Sequence, residues 1–382
     1  MGKPTVQSEL ITTAEAIARD VLRPNAEAID RTRTFPRANL DALGKAGLLG
    51  LWIPPSAGGA GVTSATFVRV MEALGSACAS TGMCFLMHST AAAILGKVAT
   101  KEQVDRLLRP IVAGDLLATL AQSERANGSN FFVPGIRAEA SGSEYVLDGV
   151  KSFVTNGGHA DGYLVLTQAA QDPAKMTMFF VEKTRSGVSF QGEWDGMGMA
   201  GNSSITLALE GVRVPRENMV GNDGQGGDIL FGINATVFIL GHAGLFLGIA
   251  QRALDIAVEH ARGRNHPSAG GPIGNHQIIR YYLAEMYMAI EGARHQIYKS
   301  AADQDGQAEN ALIGLMASKV LANDLAIRVT DKAMQVCGGL GYRKSMPIER
   351  LYRDARAGAV MGPASELLRD WIGKSLLGMP LL

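Results

Sequence analysis

The side chains that could exchange a proton near neutral pH are few, and His88 is the first of them. It stands in the apolar stretch FLMHST, where an imidazole can act as a base or as a hydrogen-bond donor. A lone histidine among apolar residues is also commonly a core residue whose ring nitrogens are already bonded. His242, and Glu124 beside Ser123, are weaker candidates for the same work. His88 is therefore the first candidate for proton transfer, and a structural role in the core is the more common alternative for such a residue.

The glycine and histidine patterns argue against several other kinds of site. Gly196, Gly198 and Gly201 spell G-x-G-x-x-G, but the segment after them, SITLALEG, has a strand pattern where a dinucleotide fold requires a helix. The GKS at residues 373–375 has Leu368 where a P-loop needs its first glycine. The sequence contains no HExxH, H-x₃-H, Cys-x-x-Cys or G-x-S-x-G. We therefore expect neither a metal site nor a serine hydrolase.

Charge and composition indicate a soluble protein. Lysine plus arginine equals aspartate plus glutamate at 36 each, so no basic excess points to nucleic acid. Hydrophobic residues make up 47% of the chain, yet we expect no apolar run long enough for a membrane span. The N-terminus lacks a signal-peptide pattern and the cysteines form no close pair, which predicts a cytoplasmic location.

Helical spacing characterises the beginning of the chain. Leu10, Ala14, Ile17 and Val21 fall on one face of a helix that Pro24 should end. From about residue 117 to 221 the apolar period changes to two, which predicts a sheet. The residues that carry this alternation are Tyr145, Leu147, Ile205, Leu207 and Leu209.

Helical spacing returns after residue 227, with Ile279, Leu283, Met286 and Ile290 on one stripe. We predict an α+β protein with an N-terminal α-helical domain (1–115), a middle β-barrel or sheet domain (116–222) and a C-terminal four-helix bundle (223–382). The bundle helices are apolar on more than one face, which predicts a homo-oligomer.

Six segments, in order, resemble the acyl-CoA dehydrogenase family. They are AQSERANGSN (121–130), DGVKSFVTNGGHAD (148–161), EGVRVPRENMVG (210–221), GIAQRALDIAVEHARGR (248–264), QVCGGLGY (335–342) and YRDAR (352–356). The resemblance covers essentially the whole chain, because the order helix, sheet, helix is also that of the family. It implies bound FAD, an acyl-CoA or related thioester as substrate, and a homotetramer.

The resemblance assigns residues of the middle domain to the flavin. Gln122, Ser123, Gly128 and Ser129 match the family's T-E-P-x-x-G-S-D motif, which contributes a hydroxyl and main-chain groups. Here Arg125 and Asn130 replace the proline and the aspartate. In GVKSFVTNGG, Phe153 matches the aromatic residue that lies over one flavin face, and Thr155 matches the threonine whose hydroxyl points at the ring.

The resemblance also implies contacts to the dinucleotide half of FAD, partly across a subunit interface. An arginine can pair with pyrophosphate oxygens, and glycine permits close approach of the main chain to a phosphate. The residues at the corresponding positions are Arg264, His276, Gln277, Gln335, Gly338 and Gly339, with Ser365 and Glu366 further on. The segment after Arg264 departs from the family pattern R-x-x-F-G, so a solvent-facing arginine is the alternative there.

The glutamate that removes the α-proton in the family has no counterpart here. Aligned from YRDAR, its position falls on Gly362, and the alternative position used by some members falls on Phe238. Neither residue can accept a proton. In the family, His88 would lie near the wall of the acyl pocket and could replace the glutamate.

The resemblance therefore predicts an FAD-dependent oxidoreductase that acts on the CH–CH group of an acyl thioester and passes electrons to an acceptor protein or to oxygen. Two alternatives stay open. One is a reduced-flavin monooxygenase of the same fold, using FAD or exchangeable reduced FMN, because that branch lacks the glutamate and carries a pocket histidine. The other is a non-catalytic or DNA-associated flavoprotein, against which the balanced charge argues.

Overall fold

The N-terminal region is helical in the computed structural model, which describes residues 5–382. Its helices are α1 (Val6–Ile17), α2 (Arg23–Thr32), α3 (Arg37–Lys45), α4 (Ser64–Ala77), α5 (Ala79–Val98), α6 (Lys101–Gln103) and α7 (Arg109–Ala113). Helix α5 is buried along nearly its whole length, and His88 lies within it.

Pro24 does not end the first helix, so that prediction is wrong. A π-helical turn, Ala18–Leu22, joins α1 to α2, and the N–H of Arg23 donates to the carbonyl of Ala18. This wider turn accommodates the proline ring and its missing N–H, and Pro24 occupies the first turn of α2. The same device recurs where the π turn Val104–Leu108 precedes α7, whose first turn contains Pro110.

The middle region consists of two four-stranded sheets. The strands are β1 (Ala118–Ala121), β2 (Arg137–Ser141), β3 (Glu144–Val154), β4 (Gly162–Gln168), β5 (Met176–Glu182), β6 (Val188–Gln191), β7 (Ile205–Pro215) and β8 (Met219–Val220). One sheet has the order β1-β4-β5-β8 and the other β2-β3-β7-β6. Only β1 and β4 pair in parallel within these two sheets of the described chain.

The alternation predicted from the sequence is found in the first half of β3 but not in β7, where Ile205 is half-buried and Leu207, Ala208 and Leu209 are all buried. Tyr145 and Leu147 of β3 are buried, as are Leu207 and Leu209 of β7. The glycine-rich segment GMGMAG lies in the connection from β6 to β7, as expected for turn glycines.

The C-terminal region is again helical. Its elements are α8 (Gly226–Ile229), α9 (Ala235–Gly263), the short strands β9 (Asn265–His266) and β10 (Gly271–Pro272), α10 (Gln277–Asp305), α11 (Ala311–Gly341), α12 (Pro347–Val360) and α13 (Ser365–Leu376). Helix α9 is central, because it packs against α4, α5, α10, α11 and α12. The fold class predicted from the sequence is confirmed.

One helical segment, Gly226–Gly263, is long and apolar enough to cross a membrane by length and composition. The expectation that no such stretch occurs is therefore wrong as stated. Most of the segment is buried inside the protein, and a core helix meets the same criterion.

Candidate active site

A cavity of about 470 Å³ lies where the middle domain meets the helices. The strand β1 and the loop after it form one wall, the end of β3 a second, and α5, α9 and the end of α12 the others. Its apolar lining includes Met83, Met87, Phe131, Trp194, Phe238, Val360 and Met361. Six of the predicted flavin contacts also line it: Gln122, Ser123, Gly128, Ser129, Phe153 and Thr155.

Phe153 reaches the cavity through an irregularity in its strand. The pairing of β3 with β7 shifts register between Lys151 and Val154. Phe153 there has a φ of 55°, in the left-handed region that non-glycine residues rarely occupy, and its side chain is 65% exposed. Strain of this kind concentrates at functional sites, and here it presents a bare aromatic ring to the cavity.

The polar side chains around Phe153 fall into two groups. The Thr155 hydroxyl is already paired, with its Oγ1 2.9 Å from the Ser204 Oγ. In contrast, the Gln122 Oε1 and the Ser152 Oγ are buried and have no hydrogen-bond partner within the described chain. Unpaired buried polar atoms are rare, and both residues line the cavity. They are suited to the polar edge of a planar ligand.

A buried ion pair fixes the wall that carries these residues. The Lys151 Nζ lies 2.7 Å from the Glu124 Oε1 and also donates to the Gln122 carbonyl. Glu124 in addition accepts hydrogen bonds from the N–H groups of Gly135 and Ile136. Burial lowers the pKa of Lys151 to about 8. Glu124 is thus fully engaged, and its position does not favour the role of a base that the sequence left open.

Both family positions for the base face the cavity, and neither carries an acid. Gly362 lies on the wall at the end of α12, and Phe238 lies on the wall formed by α9. A Cβ atom on Gly362 would meet nothing closer than 4.0 Å, from Phe131, so a side chain would fit there. Among the residues that line the cavity, only Glu124 and Arg125 have charged side chains.

His88 lies outside the cavity lining, and both of its ring nitrogens are occupied. The Nδ1 accepts the N–H of Ala118 at 3.1 Å, so the Nε2 donates to the carbonyl of Leu49, also at 3.1 Å. The side chain is fully buried, and burial lowers its pKa to about 4. This geometry argues against proton transfer at His88 and favours the structural role, because the imidazole ties α5 to β1.

The residues predicted for the dinucleotide half of FAD lie outside the cavity lining. Arg264 and Gln277 are exposed at the connection from α9 to α10, and half-buried His276 lies beside them. Gln335, Gly338 and Gly339 are exposed at the end of α11. Gly338 has a φ of 59° and a ψ of −148°, which only glycine adopts readily. A single copy of the chain does not bring these residues to the cavity, so their role stays a prediction that needs a second copy.

Ser365 is turned inward, which does not favour its predicted contact with the cofactor. It is 1% exposed, and its Oγ accepts a hydrogen bond of 3.0 Å from the Asn323 Nδ2. Glu366 is exposed in the first turn of α13 and does not line the cavity.

Two buried lysines near the site escaped the sequence reading. Lys151 lies an even number of residues after Tyr145 and Leu147 on β3, so the period-two pattern could have predicted that its side chain points inward. Lys319 follows Met316 by three residues on α11, close to an apolar stripe. Its Nζ donates to the carbonyls of Gly358, Met361 and Pro363, at 3.2, 3.1 and 2.9 Å. These bonds hold the segment that carries Gly362.

Proteins of known family share the sequence and the fold of this chain. Sequence models of acyl-CoA dehydrogenase domains match the chain over residues 5–115 (N-terminal), 119–212 (middle) and 240–377 (C-terminal). The mitochondrial short-chain specific acyl-CoA dehydrogenase of Homo sapiens is 33% identical over 382 residues, covering 98% of this chain and 90% of that protein.

Two further comparisons agree. The cyclohex-1-ene-1-carbonyl-CoA dehydrogenase of Geobacter metallireducens is 35% identical over 370 residues, covering 94% of this chain and 95% of that protein. The solved structure of butyryl-CoA dehydrogenase from Megasphaera elsdenii has a TM-score of 0.92 and 28% identity, covering 99% of each chain. The chain belongs to the acyl-CoA dehydrogenase family, whose members are FAD-dependent oxidoreductases.

The residues present fit the ring system of FAD. Phe153 offers an aromatic face, and the unpartnered atoms of Gln122 and Ser152 offer hydrogen bonds at its side. The prediction of FAD from the sequence is confirmed at the level of the family.

Proposed function

We propose that this chain catalyses the FAD-dependent oxidation of the CH–CH group of an acyl-CoA or a related thioester. The observation that carries the proposal is the apolar cavity beside Phe153, which is lined by six of the residues that the resemblance to the family assigns to the flavin. When bound, FAD supplies the oxidant for removal of two hydrogens from the acyl group.

The chain's own residues position the reactants and exclude water. Phe153 would stack against the flavin ring, and Ser123, Gln122 and Ser152 would orient its polar edge. Met87, Trp194 and Phe238 would surround the acyl group with apolar surface. Correct placement of the reacting carbons accounts for a large part of the rate in such a site.

A short or compact acyl group suits this cavity best. Phe238 and Trp194 are bulky, whereas Met83 and Met87 are flexible and adapt to an irregular shape. The relatives described above are specific for short-chain acyl-CoA or act on cyclohex-1-ene-1-carbonyl-CoA. Electrons would then pass to an acceptor protein or to oxygen.

We further propose a homotetramer. On α10 the residues Ile278, Tyr281 and Met288 form an exposed apolar stripe, with 52%, 56% and 64% of their surfaces accessible. A second copy packed there would cover this stripe. Such packing could also supply Arg264, Gln277 and Gln335 to the FAD of its neighbour, as the resemblance implies.

Product analysis tests the proposed reaction. The FAD-loaded protein is incubated with butyryl-CoA or cyclohex-1-ene-1-carbonyl-CoA and an artificial electron acceptor, and the products are separated by mass spectrometry. The proposal expects a product two hydrogens lighter, formed in proportion to reduced acceptor. A product that has gained an oxygen atom, and only in the presence of NADH, free flavin and oxygen, would instead support the monooxygenase.

A further inference from the structure

One unpaired positive charge lies on the wall of the cavity. Of the two charged side chains in the lining, Glu124 is already held by the buried ammonium group of Lys151. The guanidinium of Arg125 forms no hydrogen bond or ion pair within residues 5–382. The cavity therefore has one charge that no other group of the described chain neutralises.

The main chain that carries Arg125 is fixed by its neighbours. The N–H of Asn127 donates to the carbonyl of Glu124 at 3.2 Å, which closes a tight turn with Arg125 at its second position. The Asn127 Nδ2 donates to the Glu124 Oε2 at 3.1 Å, and the N–H of Gly135 donates to the same oxygen at 2.7 Å. The backbone of Arg125 is thus held beside the cavity while its guanidinium stays free.

The turn itself does not require an arginine. Proline is favoured at the second position of such a turn because its ring fixes φ, and the N–H of Arg125 donates to no carbonyl within the described chain. Proline is also the residue that the family motif has at this position, so arginine replaces a residue that suits the turn. What arginine adds here is a positive charge on the cavity wall.

This charge lies at the open side of the cavity. Arg125 is exposed, as are Gly128 and Ser129 beside it, whereas Met83 and Phe238 are only 1% and 7% exposed and are uncharged. An acyl group in the buried apolar part would direct the remainder of the thioester, its carrier arm, toward the open side. In CoA that arm carries phosphate groups, and arginine binds phosphate oxygens through paired N–H donors.

We propose that Arg125 binds a phosphate group on the carrier arm of the thioester substrate, and so selects thioesters of CoA over thioesters that lack phosphate. This inference rests on the proposed acyl-thioester function and deepens it, because it assigns a residue to the recognition of the carrier. Arg125 takes no part in bond making or breaking. Its contact is the same in the ground state and in the transition state, so it should affect KM and leave kcat unchanged.

A comparison of two substrates that differ in phosphate tests this role. Butyryl-CoA and butyryl-pantetheine have the same acyl group and thioester, but the pantetheine arm has no phosphate. The kcat/KM of each is measured with an artificial electron acceptor for the FAD-loaded wild type, Arg125→Gln, Arg125→Lys and Arg125→Pro. The Kd of CoA itself, which requires no turnover, is measured by calorimetry. Arg137→Gln is the matched control, because Arg137 is exposed on β2 of the same domain and does not line the cavity.

We expect Arg125→Gln to lower kcat/KM for butyryl-CoA about tenfold, through KM, and to weaken CoA binding by a similar factor. This is the loss of a charge-assisted hydrogen bond at an exposed position. The kcat/KM for butyryl-pantetheine should stay unchanged, and Arg125→Lys should recover part of the loss with butyryl-CoA. Arg125→Pro should lose as much as Arg125→Gln while its unfolding temperature is at least that of the wild type. Added salt should reduce the difference between wild type and Arg125→Gln.

Four results would overturn the inference. One is butyryl-CoA kinetics in Arg125→Gln that match the wild type, and another is an equal loss with butyryl-CoA and butyryl-pantetheine. Weaker retention of FAD in Arg125→Gln with unchanged affinity for CoA would assign Arg125 to the phosphates of the cofactor. A larger loss with glutaryl-CoA than with butyryl-CoA would assign it to a carboxylate of the acyl group.

Failure of the proposed function gives a different result. A wild type that oxidises no thioester, yet binds CoA more tightly than Arg125→Gln does, would overturn the acyl-thioester oxidation and leave the phosphate contact of Arg125 in place.

Discussion

At position 362 the chain presents only backbone to the cavity, although a side chain would fit there. The nearest atom to a Cβ on Gly362 would lie 4.0 Å away, and the residue does not have a left-handed φ. Glycine at this position is therefore not required by the fold. The absence of a carboxylate at this position therefore affects the chemistry of the site and not the folding of the chain.

Gly362→Glu should increase the rate at which acyl-CoA reduces the flavin. A positioned general base contributes roughly 10²–10⁴-fold, and the substituted position faces the cavity. The rate is measured anaerobically by stopped-flow absorbance with butyryl-CoA. Gly362→Gln, which has the same size but no basic carboxylate, should give no increase, and an equal gain in both variants would show that packing rather than proton transfer changed.

Phe153→Gly should weaken FAD binding without destabilising the protein. Loss of an aromatic stacking contact lowers affinity by roughly tenfold, whereas glycine tolerates the φ of 55° better than phenylalanine does. Fluorescence titration gives the affinity, and thermal unfolding of the FAD-free proteins gives the stability. Val150→Ala, an exposed position on the same strand, is the control. Unchanged affinity for FAD would contradict the stacking role of Phe153.

For individual residues, the sequence predicted which side chains line the cavity where a short motif fixes the distance between them along the chain. Ser123, Phe153 and Thr155 line the cavity because each lies in a contiguous segment whose strand or loop geometry is local. A structural role was one of the two predictions for His88, but its partners could not be predicted, since Leu49 and Ala118 come from distant segments. Only tertiary packing brings those backbone groups to the imidazole.

Among the elements, the end of α12 depends on a single buried lysine. Lys319 holds three carbonyls of the segment 358–363, and it has no carboxylate within ion-pair distance in the described chain. Burial lowers its pKa from 10.5 to about 7. Carbonyls at a helix C-terminus are a favourable place for a cation, which offsets part of this burial.

Lys319→Met should reveal a pH-dependent contribution to stability. Because the pKa of Lys319 is lower in the folded state, the unfolded chain binds more protons between about pH 7 and 10.5, so the free energy of unfolding gained from Lys319 rises with pH there. In this pH range the free energy of unfolding of the wild type should increase, relative to that of Lys319→Met, by up to about 1.4 kcal/mol per pH unit. Urea unfolding at pH 7 and pH 9 measures the difference.

Lys344→Met, at an exposed position, is the control for that experiment. Its difference from the wild type should stay nearly constant over the same pH range. A difference between wild type and Lys319→Met that falls as pH rises would contradict the lowered pKa of Lys319.

The types of the elements could be predicted from the apolar periodicity of the sequence, but the continuous junction between α1 and α2 could not. The alternation in β3 and the stripe in α10 are local properties of the sequence, and the structure confirms both. In β7 the predicted strand is present, but residues 207–209 are all buried and do not alternate. Pro24 looked like a helix end because a proline lacks an N–H and crowds the preceding turn. A π turn relieves both effects, and no residue type in the sequence predicts such a turn.

For the whole molecule, the three regions meet at one cavity, and this explains why the family assignment extends over the full chain. The middle domain provides the flavin face, α5 and α9 provide apolar walls, and the end of α12 closes the site. The sequence predicted this order of regions. It did not predict how residues from opposite ends of the chain converge.

Tyr281→Asp combined with Met288→Glu should dissociate the proposed homotetramer and reduce FAD retention. Both residues are exposed on α10, and charges buried in an apolar interface are strongly unfavourable. Light scattering gives the mass, and the ratio of absorbance at 450 nm and 280 nm gives the bound FAD. Val6→Asp, exposed on α1, is the control. A double variant with unchanged mass would exclude this stripe from the interface.

The central claim is that this chain oxidises acyl thioesters through FAD although position 362 carries no base. Anaerobic titration of the wild-type holoprotein tests it most directly, with butyryl-CoA and cyclohex-1-ene-1-carbonyl-CoA as substrates and flavin absorbance as the signal. The account predicts that at least one of these thioesters bleaches the flavin in a stoichiometric manner. Flavin that stays oxidised with both, while chemically reduced protein forms a stable peroxide adduct with oxygen, would contradict the account and favour the monooxygenase.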